Sequence, residues 1–258
     1  MNIHKTAIVH PKAQIENNVT IGPYCIIAEH VKIHSGTILE GHAFIDKWTE
    51  IGENCHIFPF ASLGTPPQDY KYKGEKSELI IGRDTIIRES VMLSRGSKGG
   101  GGITRIGEKC MLMAFSHVAH DCQLGNHVVL ANGVAMAGHV TISDNAIIGG
   151  LSCIHQFARI GGYAFVGGAS AVSKDVSPYG SAVGNRARLF GINLIGLQRN
   201  GFSPETISKI KRAYRFLLSS EFNISDAIKK IETEEGLDSP EVRHLIDFVK
   251  SSSRGICI

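Results

Sequence analysis

The chain has 258 residues, enough for one large domain or a domain with an appendage. Its formal net charge of +3 is too small to imply a nucleic-acid partner. No charged-then-apolar leader opens the chain, and no apolar run approaches the ~20 residues of a membrane span, so a cytoplasmic location is expected. Hydrophobic residues make up 43% and aromatic residues only 7%, which suits a core of Ile, Val and Leu. The cysteines Cys25, Cys55, Cys110, Cys122, Cys153 and Cys257 form no Cys-x-x-Cys pair and read as reduced structural residues.

From the N-terminus a six-residue beat sets the fold class. It runs Ile3, Val9, Ile15, Ile21, Ile27, Ile33, Leu39, Ile45, Ile51, Ile57, Leu63. It returns at Ile81, Ile87 and Leu93, then runs from Ile106 through Leu112, Val118, Leu124 and Leu130 to Val172. Neither a helix nor an alternating strand has this period. A hexapeptide repeat predicts a parallel β-helix, a triangular prism whose aliphatics point inward and whose corners are polar. Three hexads close a coil, so residues eighteen apart stack, at about 4.8 Å per coil. The hexapeptide type coils left-handed, against the usual right-handed crossover.

The prism is expected over residues 1–178, with a C-terminal α-helical domain over 179–258. Two corner insertions interrupt the beat, near 65–79 and near 97–104, the second containing Gly99-Gly100-Gly101-Gly102. Such loops often carry binding surfaces. A connector from Pro178 reaches about Asn200. Ser203-Pro204-Glu205 predicts a helix start, followed by Ile207, Ile210, Ala213, Tyr214 and Leu217 at helical spacing. Ser225-Asp226 predicts a second helix, and Ser239-Pro240-Glu241 a third ending near Gly255.

A packed prism has no large cavity, so chemistry belongs on a face, in a corner loop or between prisms. The eighteen-residue rule stacks His120, Gly138 and Gln156 in one column and Asp121 and His139 in the next, with His155 beside Gln156. These residues lie off the inward beat and are expected to reach solvent. A lone histidine here reads as an ordinary corner residue. The stacked set points to a general base, with an adjacent carboxylate to hold its tautomer. A glycine in the column leaves a backbone N–H open to a developing oxyanion.

These residues resemble the bacterial UDP-N-acetylglucosamine acyltransferase family, which opens lipid A synthesis. The resemblance spans the whole chain. It includes Gln68-Asp69-x-Lys71-Tyr72, Arg88-Glu89-Ser90, His117-Val118-Ala119-His120-Asp121-Cys122, Ala137-Gly138-His139-Val140, Ile148-Gly149-Gly150, His155-Gln156-Phe157 and Gly196-Leu197-x-Arg199-x-Gly201-Phe202-Ser203. It implies a homotrimer with clefts between prisms. It implies His120 as general base toward the sugar 3-hydroxyl, Asp121 as its partner and the Gly138 N–H as oxyanion donor. His117, His139, His155 and Gln156 are implied as cleft residues, and Asn193 and Arg199 as nucleotide contacts. Asp69 and Lys71 are implied to hold sugar and phosphate in a neighbouring subunit's cleft. Gly168 is implied at the far end of the acyl groove, where a glycine leaves room for a longer chain. The implied acyl donor is a 3-hydroxyacyl group on acyl carrier protein, an acidic partner that Lys209, Lys211, Arg212 and Arg215 would attract. No metal, cofactor or covalent acyl-enzyme is expected.

Three positions depart from the family pattern: Ser94 replaces a histidine near the sugar, Ile195 an acidic residue and Asn200 an arginine. Arg186 is a candidate to compensate. Ser94 keeps open a 3-amino-sugar N-acyltransferase of the same family. Two other classes stay open as well. One is a zinc-dependent hydratase using His117, His120 and His139. The other is a non-catalytic scaffold.

Overall fold

A computed structural model describes all residues, 1–258. The chain folds as a left-handed parallel β-helix with C-terminal helices. Its three flat sides are sheets of eleven, nine and eight strands, and within the prism each strand pairs with one from the next coil. Ile21 pairs Leu39, and Leu130 pairs Ile148, in the expected register. Across the first insertion Ile57 pairs Ile87, and across the second Ile81 pairs Ile106, so each insertion loops out without disturbing the stack.

The inward aliphatics from Ile21 onward are almost wholly buried. Each contributes about 1.5–3 kcal/mol by leaving water. A second inward position, two residues before the aliphatic, takes Val19, Cys25, Val31, Thr37, Ala43 and Cys55. The Cys25 thiol donates to Glu40 O at 2.8 Å and the Cys122 thiol to Ala137 O at 3.2 Å. Burial pushes the Cys55 and Cys110 thiols up to about 11 and Cys122 to about 12. These thiols are structural. Cys153 alone faces solvent.

The first coil has nothing beneath it, and Ile3 stays 40% exposed. The other end is closed. Sheet structure continues past Pro178: Gly180–Val183 joins the eleven-stranded sheet and pairs antiparallel with Arg188–Ile192. Four helices follow: α1 (Leu194–Arg199), α2 (Pro204–Leu217), α3 (Ile224–Thr233) and α4 (Pro240–Lys250). Tyr214 of α2 donates to Pro178 O at 2.7 Å. Arg159 bonds Asp175 and Phe248 O at 2.9 Å each, tying the last coils to α4.

Helix α1 was hidden in the expected connector. Its cap is Asn193, whose side chain accepts from Gly196 N. Helix α3 starts one residue before Ser225, because the Asn223 side chain accepts from Asp226 N and caps it. Helix α4 stops at Lys250, short of Gly255. Beyond it the tail turns back, and Ile256 bridges Asp175.

The first insertion is tied down by Arg95, which is only 2% exposed. Its guanidinium donates to Asp46 Oδ2 at 3.1 Å, Gly64 O at 3.0 Å and Tyr72 Oη at 3.1 Å, beside the Trp48 ring. Removing one partner of a buried charge pair strands the other. Arg95→Met is expected to lower the unfolding free energy by about 3 kcal/mol in chemical denaturation. A change under about 1 kcal/mol, the value of an exposed pair, would show that the guanidinium anchors nothing.

Candidate active site

The strand His117–Val118 leads into a corner at His120 and Asp121. Asp121, His139 and Phe157 occupy the same corner position in successive coils, with φ of 61°, 60° and 64°. Asparagine and aspartate tolerate this left-handed region better than most residues. His139 N donates to His120 O at 3.0 Å, and Phe157 N to Gly138 O at 3.2 Å. The column His120, Gly138, Gln156 therefore stacks as the spacing predicts.

His120 Nδ1 lies 2.7 Å from Asp121 Oδ2. A carboxylate only accepts, so in the neutral ring Nδ1 carries the hydrogen and Nε2 keeps its lone pair. Nε2 makes no hydrogen bond within the chain. The ring lies over Gly138: a Cβ there would meet His120 Cε1 at 2.8 Å and Nε2 at 2.9 Å. Glycine is required at 138 for this close approach. The N–H of Gly138 also bonds nothing within the chain, a property of every residue in this corner column. Gly138 alone among His120, Gly138 and Gln156 has no side chain of its own beside that N–H.

One expectation needs correction. The Asp121 side chain does not reach solvent; it is 0% exposed. The glycine-rich insertion lies on it. Ser97 N and Ser97 Oγ donate to its two oxygens at 2.8 and 2.6 Å, and Asp121 N donates to Thr104 Oγ1 at 2.8 Å. Neither Ser97 nor Thr104 was singled out from the repeat pattern, because an insertion has no register.

His120, Gly138 and Gln156 line a cleft of about 620 Å³ together with Asp69, Lys71, Ser94 and His117. Asp69 and Lys71 thus face the cleft of their own chain. The Arg95 contact to Tyr72 holds this loop against its own prism. Beyond His117 the outward row on the cleft face is small, with Ala135, Cys153 and Ala171 in succession. His139 stacks on Phe157 at 4.6 Å and meets the His120 ring edge-on at 5.0 Å.

Other candidates lie apart. His155 Nδ1 sits 2.9 Å from Gln156 O and 3.1 Å from Arg254 Nη2. Asn193 is engaged as the α1 cap and donates to Tyr163 O at 2.9 Å. Arg199, Arg186 and Ile195 are exposed outside the cleft, and Asn200 closes α1 by donating to Gly196 O. Gly168 sits on the next corner above Gly150, whose carbonyl a Cβ would meet at 3.2 Å. Of the basic residues on α2, Lys209 pairs with Glu205 and Arg212 with Glu234.

His120, Asp121 and His139 bring possible metal-ligating atoms within 4.8 Å of one another. Both Asp121 oxygens already accept hydrogen bonds, so a cation would have to break that network. The geometry serves a proton acceptor better than a metal.

His117 Nδ1 is buried without a partner, and burial lowers the pKa of this imidazole below its ordinary value. The unfolded chain takes its proton near pH 6.5, before the folded chain does. The stability this gives is whole above that pH and is lost as pH falls through the folded value. Thermal melts are expected to fall between pH 7 and 5.5, and less steeply in His117→Gln. Parallel curves for the two proteins would contradict this.

A family profile described as UDP N-acetylglucosamine O-acyltransferase, domain 2, matches residues 175–257. The bacterial transferase hexapeptide profile matches residues 12–47 and 103–138. An acyl-[acyl-carrier-protein]–UDP-N-acetylglucosamine O-acyltransferase from Thermodesulfovibrio yellowstonii is 51% identical, over 99% of this chain and 98% of the relative. One of the same description from Syntrophobacter fumaroxidans is 49% identical, over 99% of each. The structure of LpxA from Acinetobacter baumannii is 46% identical with a TM-score of 0.96, covering 99% of both chains. That of the Bacteroides fragilis LpxA, a UDP-N-acetylglucosamine acyltransferase, is 42% identical, also at 0.96, covering 98% of both. Full-length identity near one half, and a fold that superimposes throughout, show that the chain belongs to the acyl-[acyl-carrier-protein]–UDP-N-acetylglucosamine O-acyltransferase family.

Proposed function

We propose that the chain transfers a 3-hydroxyacyl group from acyl carrier protein to the 3-hydroxyl of UDP-N-acetylglucosamine, the first step of lipid A synthesis. One observation carries the reading. His120 offers an unbonded Nε2 over Gly138, while a buried carboxylate holds its Nδ1–H.

In this mechanism Nε2 takes the hydroxyl proton as the sugar oxygen attacks the thioester carbonyl. The carbon–oxygen bond forms and the carbonyl π electrons move to oxygen. The Gly138 N–H donates to that oxyanion. The tetrahedral centre then collapses, the carbon–sulfur bond breaks, and the imidazolium returns its proton to the leaving thiolate. Asp121 stabilises the imidazolium throughout. No covalent acyl-enzyme forms.

Asp69 and Lys71 contact sugar and phosphate from above the same cleft. His117 and Gln156 shape its walls, and His139 backs the His120 ring from the corner. The acyl chain runs along the face where Ala135 and Cys153 leave a shallow track toward Gly168. Glycine at 168 leaves room on this chain's side for a longer acyl chain. His155, Asn193 and Arg199 lie outside this cleft, and in a homotrimer a neighbouring prism would complete the nucleotide side. Lys211 and Arg215, the basic residues of α2 without a salt bridge, are the ones free to attract acyl carrier protein. No helix is long and apolar enough to cross a membrane, in keeping with a cytoplasmic enzyme.

Ser94 is 1% exposed and lines the cleft where the family places a histidine. Its hydroxyl suits either a 3-hydroxyl or a 3-amino sugar. The O-acyl reading follows the named relatives. The test is acyl transfer followed by mass spectrometry, with both sugars and with short and long 3-hydroxyacyl donors. Wild type is expected to acylate the 3-hydroxyl sugar, prefer a longer donor, and lose about 10³-fold in rate on His120→Ala. Absence of product, or selective use of the 3-amino sugar, would overturn the reading.

A further inference from the structure

The glycine-rich insertion does more than cross a corner. Ser97 occupies the N-cap of the short 3₁₀ turn Lys98–Gly100, yet its side chain makes no capping bond. An N-cap serine ordinarily accepts from the turn's own N–H groups. Here the hydroxyl donates to Asp121 Oδ2 at 2.6 Å, and the Ser97 N–H donates to Oδ1 at 2.8 Å. Both oxygens of a fully buried carboxylate are therefore held by one residue, and the plane of the carboxylate is set by it.

The rest of the loop is shaped to permit this. A Cβ on Gly100 would lie 2.0 Å from Asp121 Cγ. Only glycine lets the backbone lie flat on the carboxylate. Gly102 N donates back to Ser97 O at 2.8 Å, which closes the turn. Thr104, at the far end of the loop, accepts from Asp121 N at 2.8 Å. Two hydroxyls, one from each end of the insertion, hold the carboxylate and backbone of one residue.

We propose that Ser97 is a positioning residue for the His120–Asp121 pair, and that the Ser97–Gly100 turn is the lid that keeps this carboxylate dry and aimed. Ser97 touches neither the reacting hydroxyl nor the thioester. It acts through Asp121, which orients His120. A buried carboxylate that loses a donor reorients toward whatever donors remain, and a small misplacement of the base costs rate rather than binding.

This inference rests on the reading of His120 as the base, and the experiment separates the two. Steady-state kinetics with UDP-N-acetylglucosamine and 3-hydroxyacyl carrier protein would compare wild type, Ser97→Ala, Ser97→Thr and Gly100→Ala. Ser97→Ala is expected to lower kcat about 10- to 100-fold, the value of a hydrogen bond to a charged group, with KM for the sugar within about 2-fold of wild type. Ser97→Thr keeps the hydroxyl and is expected to restore most of kcat. Gly100→Ala keeps Ser97 but wedges the carboxylate, and is expected to lose kcat likewise. Wild-type kcat in Ser97→Ala would overturn the inference alone, as would a loss that Ser97→Thr does not restore. An inactive wild type would take the base assignment down with it.

Discussion

Coil-to-coil hydrogen bonding is the constraint on which the rest of this molecule depends. Each coil donates its backbone N–H groups to the coil beside it, and the inward aliphatics fix the phase of that pairing. A slip of one residue would turn the buried row outward, so the register is strongly specified. The consequence reaches the site directly. His120, Gly138 and Gln156 are far apart in the chain, yet the same ladder that holds Leu112 beside Leu130 stacks them. A rigid prism supplies positional accuracy that a loop-built site would lack.

The two insertions add what a regular prism cannot. A flat face has no walls and leaves corner carboxylates in water. The first insertion, clamped by the buried Arg95, brings Asp69 and Lys71 over the face and makes a cleft. The second covers Asp121 and supplies donors to it. Both are held by buried polar side chains, Arg95 and Asp121, that hydrogen-bond across to the loop, as such groups require away from water. Scaffold and chemistry are thus divided. Aliphatic repetition supplies the frame, and two irregular loops supply the wall and the lid.

That division explains how much was legible beforehand. The coil, its sheets and the His120–Gly138–Gln156 column follow from a period that recurs along most of the prism. The resemblance added roles for Asp69 and Lys71, which no spacing could give because they lie on an insertion. Ser97 and Arg95 were out of reach. Both belong to the stretch where the beat breaks, and their partners Asp121 and Asp46 are set by a loop path rather than by spacing. The burial of Asp121 was missed for the same reason, since its corner is polar in the repeat and only the overlying loop dries it. The α3 start failed on local chemistry: Asn223 and Ser225 are both good caps, and the asparagine side chain reached the Asp226 N–H.

The central claim is that coil register delivers the His120 imidazole to the acceptor hydroxyl. The most direct measurement is a crystal structure of the protein with bound UDP-N-acetylglucosamine. The sugar 3-hydroxyl is predicted to lie within about 3.2 Å of His120 Nε2, with the His120 Nδ1–Asp121 contact intact. A well-ordered sugar bound elsewhere, or bound in the cleft with another hydroxyl facing His120, would contradict the account.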